Sequence, residues 1–239
     1  MIKECYRDIK NHNRLFCEAP TGIGKTISTL YPAIKCMGER VTDKIFYLTS
    51  KASIRREALG AVTNMRIHGA EIYTCVLSAK EQACICESAK RGGGRISNYC
   101  KSGMCPYAEN YYKRAEDAIF ELLDSGYEFD RDDIRRVAQK YGVCPHELSL
   151  DLSELCDVII CDYNYVFSPT VYLKRYFADS TRGEKYTFLI DEAHNLPDRA
   201  RDIFSAKLSS EEFEHLYGLF EENNSLCSSV LDVLKSFDK

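Results

Sequence analysis

A chain of 239 residues, 45% of them hydrophobic and with net charge −4, has room for one large folded domain or two small ones. As a whole it is too acidic to be held to nucleic acid by charge alone, although local basic clusters can bind. No run of about 18 uncharged apolar residues occurs, so no membrane span is expected, and the charged start MIKECYRDIKNHNR lacks the apolar stretch of a secretory signal.

Residues 2–12 predict a short helix, and LFCEA (15–19) predicts a buried strand. A Gly-rich turn follows, then a helix over 25–37. KIFYLT (44–49) predicts a second strand, 52–64 a helix carrying Arg55 and Arg56, and IYTCVL (72–77) a third strand. DVIICDYNYVF (157–167) contains a fourth strand and YTFLIDEA (186–193) a fifth. Short apolar runs alternating with helices imply an α/β fold, a parallel sheet flanked by helices. Residues 78–144 break that rhythm and read as a mainly helical insertion, with helices expected at 107–124 and 131–141. From 198 to 239 the chain reads as helical, with a candidate capping box from Ser209 to Glu212 and an apolar face of Leu226, Val230, Val233, Leu234 and Phe237.

The first predicted strand runs into APTGIGKT: Ala19, Pro20, Thr21, Gly22, Ile23, Gly24, Lys25, Thr26. Glycines that allow unusual backbone angles let several N–H groups converge on a phosphate, and a helix N-terminus adds favourable partial charge. Lys25 is placed to reach the terminal phosphates of ATP, and Thr26 to ligate Mg²⁺. The strict P-loop pattern starts with Gly where this chain has Ala19, a relaxed form also used by helicases.

FLIDEAHN (188–195) is an apolar strand that ends in two carboxylates, at the sheet edge where α/β folds bind ligands. Asp191 is placed to hold Mg²⁺, Glu192 to polarise an attacking water, and His194 to link the nucleotide site to a nucleic-acid site. With the P-loop, DEAH points to a superfamily 2 helicase-type ATPase.

Twelve cysteines without a secretory signal fit a reducing cytoplasm better than a disulfide framework. Five of them, Cys84, Cys86, Cys100, Cys105 and Cys144, fall in the insertion. Four thiolates can hold zinc or an iron–sulfur cluster, and the spacing alone leaves both open. Cys105 and Cys144 each precede a proline, a context also found at a ferredoxin cluster ligand. The remaining seven, Cys5, Cys17, Cys36, Cys75, Cys156, Cys161 and Cys227, read as small apolar residues. Around the insertion cysteines lie Lys80, Lys90, Arg91, Arg95, Lys101, Lys113 and Arg114, interleaved with Tyr99, Tyr107, Tyr111 and Tyr112. Basic groups can follow phosphates while rings stack on unpaired bases.

In order, EAPTGIGKT, YLTSKASIRREAL, CPYAENYYKR, CDYNYVFSP and DEAHNL resemble the XPD/DinG-type iron–sulfur superfamily 2 DNA helicases over about residues 14–205. The resemblance implies a RecA-like ATP-binding domain made of 1–77 and 145–197, a cluster insertion at 78–144, and the start of a helical arch at 198–239. It implies a [4Fe–4S] cluster on Cys84, Cys100, Cys105 and Cys144, with Cys86 as the other candidate for the first ligand and zinc as the alternative metal. Single-stranded DNA or a DNA junction would be the partner, moved 5′ to 3′. Thr49, Ser50 and Lys51 would contact the strand's backbone, together with Lys101, Tyr107, Lys113 and Arg114, and Asn164 less directly. A second RecA-like domain and an adenine-reading Gln motif are not found in these 239 residues. The sequence is therefore expected to be an N-terminal piece of such a helicase, cytoplasmic (on the nucleoid if bacterial), that hydrolyses little ATP alone. The competing readings are a non-catalytic binding module for DNA or a protein, and a P-loop NTPase with a zinc-stabilised insertion.

Overall fold

The computed structural model describes residues 1–20, 22–91, 96–179 and 183–205, with Ser229 and Val233. Thr21, Arg95, the Ser209–Glu212 capping box and all of the 226–237 apolar face except Val233 lie outside the described residues. The chain divides into two compact units, Met1–Ala193 and His194–Lys239. A 3₁₀ turn at Ala193–Asn195 spans the boundary and leads into a helix of the second unit at Leu196–Ile203.

The first unit is built on five parallel strands. They are β1 (Lys44–Leu48), β2 (Thr74–Val76), β3 (Glu128–Phe129), β4 (Val158–Cys161) and β5 (Tyr186–Ile190), in the order β3-β2-β4-β1-β5. The main covering helices are α1 (Ile2–Lys10), α2 (Lys25–Gly38), α3 (Ala52–Ile67), α4 (Tyr111–Ser125), α5 (Arg131–Tyr141) and α6 (Pro145–Glu154), joined by shorter helical turns. Strands β1, β2 and β4 are buried along their whole length but for Lys44, as expected for parallel strands covered on both faces.

Alternation along the strands sorts side chains into two cores. Ile45, Tyr47, Val76, Val158 and Ile160 pack against Leu30 and Ala33 of α2 and Ala58 and Val62 of α3. Phe46 faces the other way, into an aromatic cluster. Its ring lies 5.2 Å from Tyr176, 5.3 Å from Phe177 and 5.4 Å from each of Tyr186 and Phe188. Lys44 anchors α6 from beneath, donating from Nζ to the carbonyls of Glu154 (2.8 Å) and Cys156 (2.7 Å) that the helix end would leave unpaired.

Two sequence expectations change. Residues 13–20 form no strand, and Leu15, Phe16 and Cys17 are exposed, Phe16 to 90%. No described strand pairs with these residues, and the sheet ends at β5 without them. Cys17 is thus not core filler, whereas Cys5, Cys36, Cys75, Cys156 and Cys161 are buried as expected; Cys227 lies outside the described residues. The second change is in the insertion, which is mainly helical but also contributes β3 to the sheet, paired through Thr74↔Glu128 and Cys75↔Phe129. The expected 107–124 helix is split into a turn at Pro106–Glu109 and α4. Helix α5 matches its prediction because both ends are closed. Asp130 accepts from the amides of Asp132 and Asp133, and Gly142 takes the left-handed conformation after the last turn.

Phe46→Ala should remove about 3–5 kcal/mol of stability by emptying the aromatic cluster. Urea unfolding followed by far-UV circular dichroism measures it, and a loss below about 1 kcal/mol would contradict the packing described.

Candidate functional site

Strand register assembles the nucleotide-site residues. Leu48 of β1 pairs with Cys161 of β4 on one side and Ile190 of β5 on the other. The next residues, Thr49, Asp162 and Asp191, therefore emerge side by side at the C-terminal edge of the sheet. The phosphate-loop turn approaches the same edge. Gly22 and Gly24 have φ of +84° and +76°, and Gly24 precedes the first residue of α2. A Cβ on Gly24 would stand 3.3 Å from the Ile27 side chain, so another residue here would be strained by the backbone angle and would also crowd Ile27. Lys25 folds back, donating to the Ala19 carbonyl at 3.2 Å. Ile23 is exposed, and Thr26 is buried.

Thr26 does not stand alone. Its hydroxyl donates to the Glu57 carboxylate of α3 at 2.7 Å. Burial and the charge of Asp191 push the Tyr47 phenol up, while Thr26 pulls against them. Burial, then the charge of Glu192, raise the Asp191 carboxyl; Lys25 opposes and Glu57 adds to the rise. Lys25, Thr26, Glu57, Asp191 and Glu192 thus form one electrostatic group. Glu192 has φ of +49°, uncommon for a residue with a side chain and a local strain beside the two carboxylates. The Tyr163 hydroxyl supports this turn by donating to the Asp191 carbonyl. His194 is exposed in the 3₁₀ turn, as the first residue of the second unit.

Glu57 and Tyr163 are site residues that the sequence motifs do not single out. Glu57 lies in the SIRRE stretch, but nothing in its spacing says that α3 turns it toward Thr26. Arg55 is likewise more than helix surface: its guanidinium lies 3.7 Å from Asp162 and its Nε is buried without a hydrogen bond. Asn164 also has a buried Oδ1 without a partner.

The expected DNA contacts are placed unequally. Thr49 is buried, its hydroxyl taking the Lys51 amide at 3.4 Å, while Ser50 is half-buried and Lys51 exposed. Lys101 and Lys113 are exposed; Arg114 is exposed too, but donates to the Tyr141 carbonyl at 3.3 Å. Two of the basic residues are paired, Lys80 with Glu147 and Lys90 with Glu87. Among the tyrosines, Tyr112 is 93% exposed, whereas Tyr111 is buried and donates to Asp151 at 2.5 Å. Tyr107 is half-buried and Tyr99 reaches the Met104 carbonyl.

The cysteines converge. Cys84, Cys86, Cys100, Cys105 and Cys144 line one small recess with Lys80, Tyr107 and His146. Cys105 and Cys144 each sit just before a helix whose first residue is proline. Burial pushes both thiols up, and helix-start amides pull against it: Tyr107 and Ala108 on Cys105, Glu147 and His146 on Cys144. Neither sulfur makes a full capping hydrogen bond, so the effect is electrostatic. His146 is 8% exposed, and its Nδ1 is buried without a hydrogen bond. Among the described residues, no three His, Cys, Asp or Glu side chains converge closely enough to grip a single metal ion. No described helix is long and apolar enough to cross a membrane.

Comparison with known proteins places the chain. The DEAD_2 family model matches residues 53–213, two-thirds of the sequence, and the chain belongs to that family. It is 25% identical over 228 residues to a regulator of telomere elongation helicase 1 homolog of Caenorhabditis briggsae, covering 81% of this chain and 22% of that protein. It is also 25% identical over 216 residues to the general transcription and DNA repair factor IIH helicase subunit XPD of Arabidopsis thaliana, covering 79% of this chain and 27% of that protein. The chain thus spans about a quarter of the length of these relatives. Two solved structures share the fold: an XPD helicase (TM-score 0.66, 19% identity, 97% of this chain and 38% of that one) and a truncated XPD (0.64, 18%, 97% and 63%).

Because burial raises the Asp191 carboxyl, its charged form opposes folding. That penalty is present above the raised pKa and disappears as pH falls through it. Asp191→Asn should therefore raise the melting temperature of the nucleotide-free chain, by about 1–3 °C at neutral pH, with a smaller gain at acid pH. Thermal melts at the two pH values test this; a lowered melting temperature at neutral pH would show that the carboxylate is instead stabilised.

Proposed function

We propose that this DEAD_2 family member is the ATP- and DNA-binding part of an ATP-dependent helicase that moves 5′ to 3′ along single-stranded DNA. One observation carries the reading: the phosphate-loop lysine and threonine and the Asp-Glu pair meet at a single edge of a parallel sheet, within one electrostatic group. The amides around Gly22, Ile23, Gly24 and Lys25 would receive the phosphates of ATP, with Ala19 and Pro20 shaping the turn and the Lys25 ammonium leaving the Ala19 carbonyl to reach them. Thr26 and Asp191 would hold Mg²⁺; its charge would offset the repulsion that Asp191 feels from Glu192 and Glu57. Glu192 would orient the attacking water, and His194 would relay the state of the nucleotide to the DNA side. Phosphoryl transfer of this kind depends mainly on positioning and charge. A second RecA-like domain would close the site and supply an arginine finger.

DNA would run past the end of β1, where Ser50 and Lys51 are accessible and buried Thr49 holds the Lys51 amide, and over the insertion at Lys101, Tyr107, Lys113 and Arg114. The exposed ring of Tyr112 adds a stacking platform there. Arg55, whose Nε lacks a partner, would donate to a phosphate oxygen, as would the side-chain amide nitrogen of Asn164.

The recess fits a [4Fe–4S] cluster. Its donors are thiols, the ligand type such clusters take, and helix-start amides act on two of them against the effect of burial. Cys84, Cys100, Cys105 and Cys144 would be the ligands, and the unpartnered Nδ1 of His146 is a buried polar atom awaiting a neighbour. A bound cluster would brace the insertion that carries the DNA contacts. Zinc is the alternative occupant.

Two measurements test the proposal. Anaerobically purified chain should be brown and carry about four irons with matching sulfide; a colourless protein with one zinc would overturn the cluster. Lys25→Ala should weaken binding of a fluorescent ATP analogue at least about tenfold while the chain alone shows little turnover. Single-strand binding that is indifferent both to ATP and to Lys25→Ala would favour a non-catalytic binding module.

A further inference from the structure

Five thiols line the recess, and a cluster held by four cysteines leaves one over. The packing singles out the spare. Cys86 and Cys105 are 4% and 5% exposed and, with Ala89, form the centre of one small apolar cluster. Cys84 packs at its margin and is half-buried, and Cys100 and Cys144 lie outside that centre. A thiol in packing contact with the Cys105 sulfur is poorly placed to bind a separate corner of a cluster, but well placed to react with that sulfur. The backbone of Cys86 is already engaged: it stands before a short helical turn at Glu87–Arg91, and its carbonyl takes the Lys90 amide at 3.2 Å. That turn holds the residue in place and leaves its sulfur in the small apolar centre beside Cys105.

We propose that Cys86 is the redox partner of Cys105, so that the site holds either a cluster or a Cys86–Cys105 disulfide. The proposal rests on the reading that the recess takes an iron–sulfur cluster. The oxidant is a peroxide. In the cluster-free chain the Cys105 sulfur attacks one peroxide oxygen; the O–O bond breaks, leaving a sulfenic acid and, after protonation, one water. The Cys86 sulfur then attacks the sulfenic sulfur, forming the S–S bond and releasing the hydroxyl as a second water. Two thiols and one hydrogen peroxide give one disulfide and two waters; the sulfur pair loses two electrons and the peroxide gains them. The disulfide stops Cys105 short of sulfinic and sulfonic acids, which a thiol reductant cannot reverse. Reduction by a dithiol restores both thiols and with them the complete ligand set.

The test uses the full 239-residue chain, stripped of iron under anaerobic conditions and treated with a several-fold molar excess of hydrogen peroxide, since sulfinic acid consumes two peroxides per thiol and the disulfide one. Peptide mapping by mass spectrometry after thiol blocking should find the Cys86–Cys105 linkage at least about tenfold above any other disulfide. After dithiol treatment the wild-type chain should regain its iron and sulfide, whereas Cys86→Ala should accumulate sulfinic acid at Cys105 and reload several-fold less. Before any oxidant, Cys86→Ala and Cys86→Ser should both carry the wild-type iron content; loss of iron at that stage would make Cys86 a ligand and overturn the proposal. So would a dominant linkage through Cys84 or Cys100, or equal reloading of Cys86→Ala. Failure of the untreated wild-type chain to take up iron and sulfide at all would count against the cluster reading itself and is seen separately from the linkage pattern.

Discussion

Parallel pairing of β1 with both β4 and β5 is the constraint on which the rest depends. Because Leu48 lies opposite Cys161 and Ile190, three strands stop at the same level and three polar residues leave the core together. A slip of one residue in either pairing would turn a strand's side chains to the opposite face and exchange the two cores. The aromatic cluster on one face, where Phe46 stacks on Phe188, and the aliphatic core on the other fix that register from both sides. The Asp191 carboxylate at the edge is costly where it stands, and the packing beneath holds it in place.

Much of this was legible in the sequence, for definable reasons. The strands KIFYLT and VIIC are apolar runs because both faces are covered, and together with YTFLI such runs announce a parallel sheet. The glycines of the phosphate loop are informative because the backbone there needs positive φ. LFCEA has the same apolar character but does not form a strand, because apolar composition does not encode which backbone pairings are made. Glu57 was invisible for a related reason. Its contact with Thr26 spans 31 residues and depends on how α3 rolls on the sheet, which periodicity does not encode.

The insertion shows how sequence and structure divide the work. Its cysteines are spread from Cys84 to Cys144, with close spacing only between Cys84 and Cys86 and between Cys100 and Cys105, and spacing alone left zinc and cluster open. Folding brings five of them to one recess and explains the repeated Cys-Pro pair. The proline starts a helix whose amides face the preceding sulfur. The short β3 ties this otherwise helical region into the sheet, and Arg66 of α3 secures it from the side through an ion pair to Glu128 at 2.9 Å. Through β3 the insertion is paired to β2, the strand that carries Cys75, and β2 is paired to β4, which ends at the C-terminal edge of the sheet.

Strand β5 closes the sheet on the side away from β3, and no described strand pairs with its outer face. Its residues are only half-buried, with Phe188 39% exposed, and Leu15 and Phe16 lie bare elsewhere in the same unit. Neither proline nor a charged side chain interrupts the edge from Tyr186 to Ile190. Such an edge is a template for a second copy of itself. At high concentration the separate chain is therefore predisposed to edge-to-edge association, and its colloidal behaviour depends on what covers β5 as much as on the stability of the fold beneath it.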